Sequence, residues 1–258
     1  MARPIILIHG MWCNDATLAN LKAVFVARGH AVHTPNLPFH QPGKTQLQVG
    51  ALSVSDYRAF LETYIRQQNF PQPPILIGHS MGGLLAQQLA ATVKPFALVL
   101  LTPASGRGIL ALSLSNIFAF IKVLLSWGWW RTAHKPSPER ARTSLYNGVA
   151  PAHQDRIYKL LCAESGRAVF EIGFWPLDRA RATAVDHTAV QCPVFVVSAG
   201  KDKLTPPGVV QKVADRYPGA AHRYYAERSH WVIDDEDTER MANDIASWLQ
   251  SKEVRARA

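Results

Sequence analysis

The chain has 258 residues, 48% of them hydrophobic and 18% charged, with a formal charge of +9. That length holds one large domain with a substantial core or at most two small ones, and that composition argues against a disordered protein. The positive charge is scattered, loosely grouped at Arg131, Lys135, Arg140 and Arg142 and at Lys252, Arg255 and Arg257; no basic run is interleaved with stacking aromatics, so no nucleic-acid partner is expected.

From the N-terminus, Ile5–Ile8 reads as a buried strand ending at His9-Gly10, too short for a secretion signal's apolar core. Residues 17–28 repeat with helical period and stop at Gly29, where a helix C-terminal glycine belongs. A short strand over 31–34 ends at Pro35. Ser55 is placed to cap a helix running to Gln68, with Leu61, Tyr64 and Ile65 inward. Residues 75–77 form a strand, followed by Gly78-His79-Ser80-Met81-Gly82-Gly83 and a helical pattern over 84–91. Strands are expected again at 97–101 and 194–198. The 92 residues between Leu101 and Val194 are more than one crossover helix needs. Alternation then resumes with a helix over 208–217, a strand over 222–226 and a terminal helix over about 236–250. This succession predicts an α/β fold, a mostly parallel central sheet flanked by helices. Residues 1–105 and 186–258 form its core, and residues 106–185 an inserted helical cap.

Residues 109–130 carry one charge, Lys122, and nearly reach the length of a membrane span. Ser113, Ser115, Asn116 and Ser126 interrupt the run, while Leu110, Leu114, Ile117, Ile121 and Leu124 recur at helical spacing. An amphipathic helix over an apolar pocket is expected there, not a span. The cysteines, Cys13, Cys162 and Cys192, are few, odd in number and without metal-ligand spacing. They read as reduced thiols, with the cytoplasm as the expected location and neither metal nor organic cofactor implied.

Gly78-His79-Ser80-Met81-Gly82 is a G-x-S-x-G pentapeptide between a strand and a helix. That context presents a serine on a strained turn, with glycines where side chains would collide. A serine hydroxyl needs a base held by a third group. Asp202 follows the strand at 194–198, and His230 follows the last strand, so Ser80, Asp202 and His230 form the candidate triad. Asp186 near the insertion's return is a competing acid, and Asp234, Asp235 and Asp237 read as first-turn helix charges. The amides of Met81 and of Met11, in the loop after the first strand, are the candidate oxyanion donors. His9 and His79 read as structural. Trp12, Trp127, Trp129, Trp175 and Trp231 are candidate substrate-binding residues, and Phe118, Phe120, Trp130, Phe170 and Phe174 could line the same apolar pocket.

His9-Gly10, Gly78 through Gly83, Gly200-Lys201-Asp202 and Ser229-His230-Trp231 together resemble the α/β-hydrolase superfamily. Residues 5–36 are particularly similar to its small esterases and lyases. The resemblance implies hydrolysis of a small apolar carboxylic ester through a Ser80 acyl-enzyme. It also admits a thioester, a lactone or a carbon–carbon bond, and a non-enzymatic ligand receptor, while the positive charge adds the option of an acyl group on an acidic carrier protein. Trp231 stands where the plant hydroxynitrile lyases of this superfamily carry a lysine, which argues against that reaction, and Ser80 excludes an aspartate nucleophile.

Overall fold

Strand residues alternate between two packed faces, and that alternation builds the core. In β1 (Ile5–Ile8), Ile5 and Leu7 pack on one side of the sheet, and Ile6 and Ile8 on the other. The same division holds in β3 (Ile75–His79), β4 (Ala97–Leu101) and β7 (Val194–Ala199). Apolar side chains on both faces require helices on both faces. The computed structural model describes residues 2–110 and 127–257. With β2 (Val32–His33) and β8 (Ala221–Tyr225), the strands form one six-stranded parallel sheet in the order β2-β1-β3-β4-β7-β8.

Helix α1 (Ala19–Val26) and the C-terminal helix Thr238–Arg257 pack on one another on the first face. On the second face α2 (Val54–Gln67) buries Val54, Tyr57, Leu61 and Ile65, one stripe at helical spacing. Helix α3 (Met81–Val93) buries ten of its thirteen residues and is therefore a central element with no broad solvent face. The chain leaves β1 toward β2 on one side, whereas β3 pairs on the other, so the order reverses between β1 and β3. Loops diverge at such a point and leave a crevice at the carboxyl ends of the strands. Both the loop after β1 and the turn at Ser80 open there.

The described part of the insertion between β4 and β7 adds no strand to this sheet. Its described part holds the helices Pro151–Leu160 and Gly166–Gly173, a turn at Pro138–Arg140 continuing as a π-helical turn over Ala141–Leu145, and a separate two-residue antiparallel ladder of β5 (Ala133–His134) and β6 (Glu164–Ser165). Most of the apolar run at 109–130, with Leu114, Ile117, Phe118, Phe120, Ile121 and Leu124, lies outside the described residues. Among the described residues no helix is long and apolar enough to cross a membrane.

Two local expectations change. The cap of α2 is Ser53, not Ser55: its hydroxyl accepts from the Ser55 amide while Asp56 reaches back to the Ser53 amide at 2.8 Å. The last helix starts at Thr238, with Asp234 turned away from it and Asp235 bonded to its start, Oδ1 accepting from the Asp237 amide at 3.1 Å and the Thr238 hydroxyl at 3.0 Å. Asp234 pairs with Arg156 at 2.7 Å, and Asp235 pairs with the buried Arg228.

Candidate active site

Strand β3 runs straight into α3 with one residue between them, Ser80, at φ 53° and ψ −120°. A side chain at positive φ is strained, and the surrounding bonds hold it. The Ser80 amide donates to the Leu101 carbonyl at 3.0 Å, and the Ser80 carbonyl accepts from Gly83 at 2.8 Å and Ala104 at 2.9 Å. So sharp a turn brings backbones into contact. A Cβ on Gly78 would overlap the Gly82 carbonyl, and one on Gly82 would overlap the Ile8 carbonyl. The motif's glycines are thus required by close approach. The Met81 amide opens α3 and has no acceptor within the helix.

Asp202 and His230 meet beside the ends of β4 and β7. His230 Nδ1 lies 2.8 Å from Asp202 Oδ2, with both side chains buried. The amides of Leu204 and Thr205 both donate to Asp202 Oδ1 at 2.8 Å, which leaves Oδ2 for the imidazole. The Thr205 hydroxyl stands 2.8 Å from Oδ2, 3.2 Å from His230 Nδ1 and 3.0 Å from the Thr102 carbonyl. Thr205 was not singled out from the sequence, although Asp202, Thr205 and Pro206 at their spacing mark a side-chain-closed turn.

The His230 loop is tied to both neighbouring loops. His79 Nε2 donates to the His230 carbonyl at 2.9 Å, and the two rings stand 4.9 Å apart, which places this histidine beside the residue next to Ser80. The Arg228 carbonyl accepts from the Lys201 amide at 2.8 Å, and its guanidinium binds Asp235 and the Val232 carbonyl. The competing acid, Asp186, is exposed and caps its own turn through Thr188 and Ala189.

The loop after β1 lies directly against the elbow: a Cβ on Gly10 would fall 2.8 Å from the Ser80 Cβ. His9 orients this loop. The Leu37 amide donates to His9 Nε2 at 3.1 Å, so the ring proton sits on Nδ1, which donates to the Gly10 carbonyl at 2.9 Å. The Cys13 amide reaches the same carbonyl at 3.3 Å. A trans peptide points its N–H opposite to its C=O, so the Met11 amide faces away from His9.

A model of the alpha/beta hydrolase family matches residues 5–244. The chain belongs to that family. It is 27% identical over 241 residues to a pimeloyl-[acyl-carrier protein] methyl ester esterase of Chromobacterium violaceum, covering 88% of this chain and 86% of that one. Its fold is similar to an extracellular alpha/beta-hydrolase from a Paenibacillus species, with a TM-score of 0.74 at 17% identity over 95% of this chain and 98% of the other. A methylesterase from Arabidopsis gives 0.72 at 15% identity with the same two coverages.

The five candidate tryptophans of this alpha/beta hydrolase separate. Trp231 has no exposed surface and packs edge-on to Tyr146 and His79. Trp12 is buried in the same cluster and donates from Nε1 to the His134 carbonyl at 3.0 Å. Both rings are thus buried among protein groups. Trp127 is 93% exposed and meets Trp130 edge-on. Trp129 is buried among Trp130, Phe170 and Phe174. Trp175 is partly buried, with the Arg107 guanidinium 5.2 Å from its ring.

Cys13 and Cys162 are buried free thiols, and Cys192 is a partly buried one. Among the described residues no group of three or more His, Cys, Asp or Glu could hold a metal ion.

His9 and His79 are fully buried, and burial lowers both to about 3, His9 assisted by His40 and His79 by His230. Both therefore stay neutral through the neutral range. Because the folded value lies below the unfolded 6.5, the unfolded chain takes up these protons first. Stability is then expected to fall as pH drops below about 6.5, on the order of 1.4 kcal/mol per pH unit per histidine, until about 3. Urea midpoints measured between about pH 7 and about pH 4.5 check this. A protein equally stable at both ends would contradict two buried neutral imidazoles.

Proposed function

We propose that this chain hydrolyses a carboxylic ester through an acyl-enzyme on Ser80, with Asp202 and His230 completing a triad. The observation that carries the reading is the buried Asp202–His230 pair at 2.8 Å, on loops tied to the strained turn that presents Ser80. Asp202 Oδ2 accepts the Nδ1 proton, so Nε2 is left bare to take the proton of Ser80 as its oxygen attacks the ester carbon. The tetrahedral oxyanion is held by the Met11 and Met81 amides, worth about 2.7–4 kcal/mol each in the transition state. As the intermediate collapses, His230 returns the proton to the leaving alcohol. Water then repeats the sequence and frees the acid. Residues 106–185 act as a cap that roofs Ser80 and walls the acyl group, with Trp127, Trp129 and Trp175 as its candidate contacts. An active-site-directed fluorophosphonate should label Ser80 stoichiometrically and abolish turnover of an aryl ester. Labelling elsewhere, or none in a folded enzyme, would exclude Ser80.

A second reading delivers the acyl group on an acidic carrier protein. It is supported by the similarity to the pimeloyl-carrier methyl ester esterase and by the charge of the insertion. Residues 127–185 carry nine Lys or Arg against five Asp or Glu, and three of those acids, Glu164, Glu171 and Asp178, are buried. The outward surface is thus strongly basic. Raising salt from about 50 to about 300 mM should weaken turnover on an acyl-carrier substrate and leave a free methyl ester unchanged, because only the former depends on unscreened surface charge. Equal salt response of the two substrates would remove this reading.

A further inference from the structure

The loop expected to supply an oxyanion donor is fastened to the insertion more than to the sheet that carries it. Cys162 donates its amide to the Trp12 carbonyl at 2.9 Å, Asn14 Nδ2 donates to the Leu160 carbonyl at 2.7 Å, and Trp12 Nε1 donates to His134. A fourth connection runs through a buried polar chain that the proposed reaction does not use. Glu164 on β6 has no exposed surface, and its Oε2 lies 3.1 Å from His40 Nε2. Its Oε1 accepts from the Tyr57 hydroxyl and the Ser165 amide, each at 2.6 Å. His40 Nδ1 faces the Pro38 carbonyl at 2.9 Å, and the His40 amide donates to the Leu37 carbonyl at 3.0 Å.

Both ring nitrogens of His40 therefore face acceptors, which takes an imidazolium against a carboxylate. Burial opposes the charge on His40, but Glu164 and the Pro38 and Leu37 carbonyls outweigh it and raise its pKa above the ordinary value. The ring, so held, braces the Leu37–His40 turn. That turn supplies the Leu37 amide to His9 Nε2, and His9 Nδ1 then holds the Gly10 carbonyl. The Gly10–Met11 peptide is thus linked to Glu164 by hydrogen bonds joined through the backbone of the Leu37–His40 turn.

We propose that Glu164 and His40 are positioning residues for the Met11 amide, so that docking of the insertion and formation of the oxyanion hole are one event. This rests on the reading of Ser80 as nucleophile and Met11 as oxyanion donor. A misaligned donor weakens transition-state binding and leaves ground-state binding alone. The two can therefore be separated from a merely structural role.

Four variants make the test: His40→Leu and Glu164→Ala break the chain, Glu164→Gln preserves it, and Tyr57→Phe removes a Glu164 partner outside it. Each is assayed for kcat and KM on an aryl ester, for affinity toward a trifluoromethyl ketone that forms a tetrahedral adduct, and for Tm. His40→Leu and Glu164→Ala should lose about 10- to 100-fold in kcat, part of the 10²–10³ carried by a whole donor, and lose ketone affinity in step while KM stays within about threefold. Glu164→Gln should stay within about threefold of wild type. Its amide nitrogen can donate to a neutral His40 Nε2, and its oxygen still accepts from Tyr57 and Ser165. Tyr57→Phe should lower Tm and keep kcat.

Should Glu164→Ala fail to fold, His40→Leu carries the comparison. The proposal is overturned if His40→Leu keeps its kcat, or if Tyr57→Phe loses as much kcat as His40→Leu for an equal fall in Tm. Wild-type turnover that survives Ser80→Ala would instead mean that the underlying reading has failed. Ser80-dependent turnover indifferent to His40 rejects the positioning role alone.

Discussion

Ester turnover by the Ser80→Ala protein is expected to fall by about 10⁶-fold, with the fold retained. The substitution removes one oxygen and keeps the Cβ, so the strain at φ 53° is the same before and after. The bonds that hold the elbow, from Ser80 to Leu101, Gly83 and Ala104, are all made by backbone atoms and survive the change. The Asp202–His230 pair and the amides proposed to hold the oxyanion remain, so a residual rate about 10³–10⁴ above the uncatalysed reaction should persist. Single-turnover hydrolysis of an aryl ester, with unfolding followed by circular dichroism, checks both halves. Undiminished turnover in a folded Ser80→Ala protein would rule out the acyl-enzyme.

Asp202→Asn is expected to cost about 10⁴-fold in kcat, and the geometry says why. Every neighbour of this carboxylate presents a hydrogen: the Leu204 and Thr205 amides at Oδ1, and the Thr205 hydroxyl and His230 Nδ1 at Oδ2. An asparagine has one acceptor atom. With its oxygen kept against the two backbone amides, its NH₂ faces His230 Nδ1, which must then become the acceptor. The ring proton moves to Nε2, where it blocks removal of the serine proton. The Thr205 hydroxyl can turn to the Thr102 carbonyl, so the fold tolerates the exchange better than the chemistry does. Asp186→Asn should be silent to within about twofold, because Asp186 is exposed and bonds only within its own turn. If the two variants exchanged places, the acid would lie on the wrong loop.

The readable elements were those whose constraints are local. Short unbroken apolar runs at β1, β3, β4 and β7 announced buried strands, and all four lie in the central sheet. The G-x-S-x-G spacing announced a turn at which Gly78 and Gly82 touch backbone, and the structure shows both contacts. Boundaries were less legible. Ser53 and Ser55 are both competent caps, and the choice fell to the one with Asp56 three residues on, whose carboxylate returns to its amide. The acidic run Asp234, Asp235 and Asp237 looked like a helix start, but the remote Arg156 claims the Asp234 carboxylate, and Asp235 divides its own between Arg228 and the helix start at Asp237 and Thr238.

Backbone geometry within a few residues, and a two-face hydrophobic pattern, were enough to define the fold class and to single out Ser80, Asp202 and His230, since strand ends and turns are written in neighbouring residues. Which side chains surround them was settled by distance across the fold. Thr205 reaches Thr102 from 103 positions away, Tyr57 reaches Glu164 from 107, and His40 reaches Glu164 from 124. Nothing in the local pattern around any of these residues specifies its partner. Such pairs form only after the sheet order and the docking of the insertion have brought remote segments together, and a buried polar group must then find a partner there or lose its solvation uncompensated.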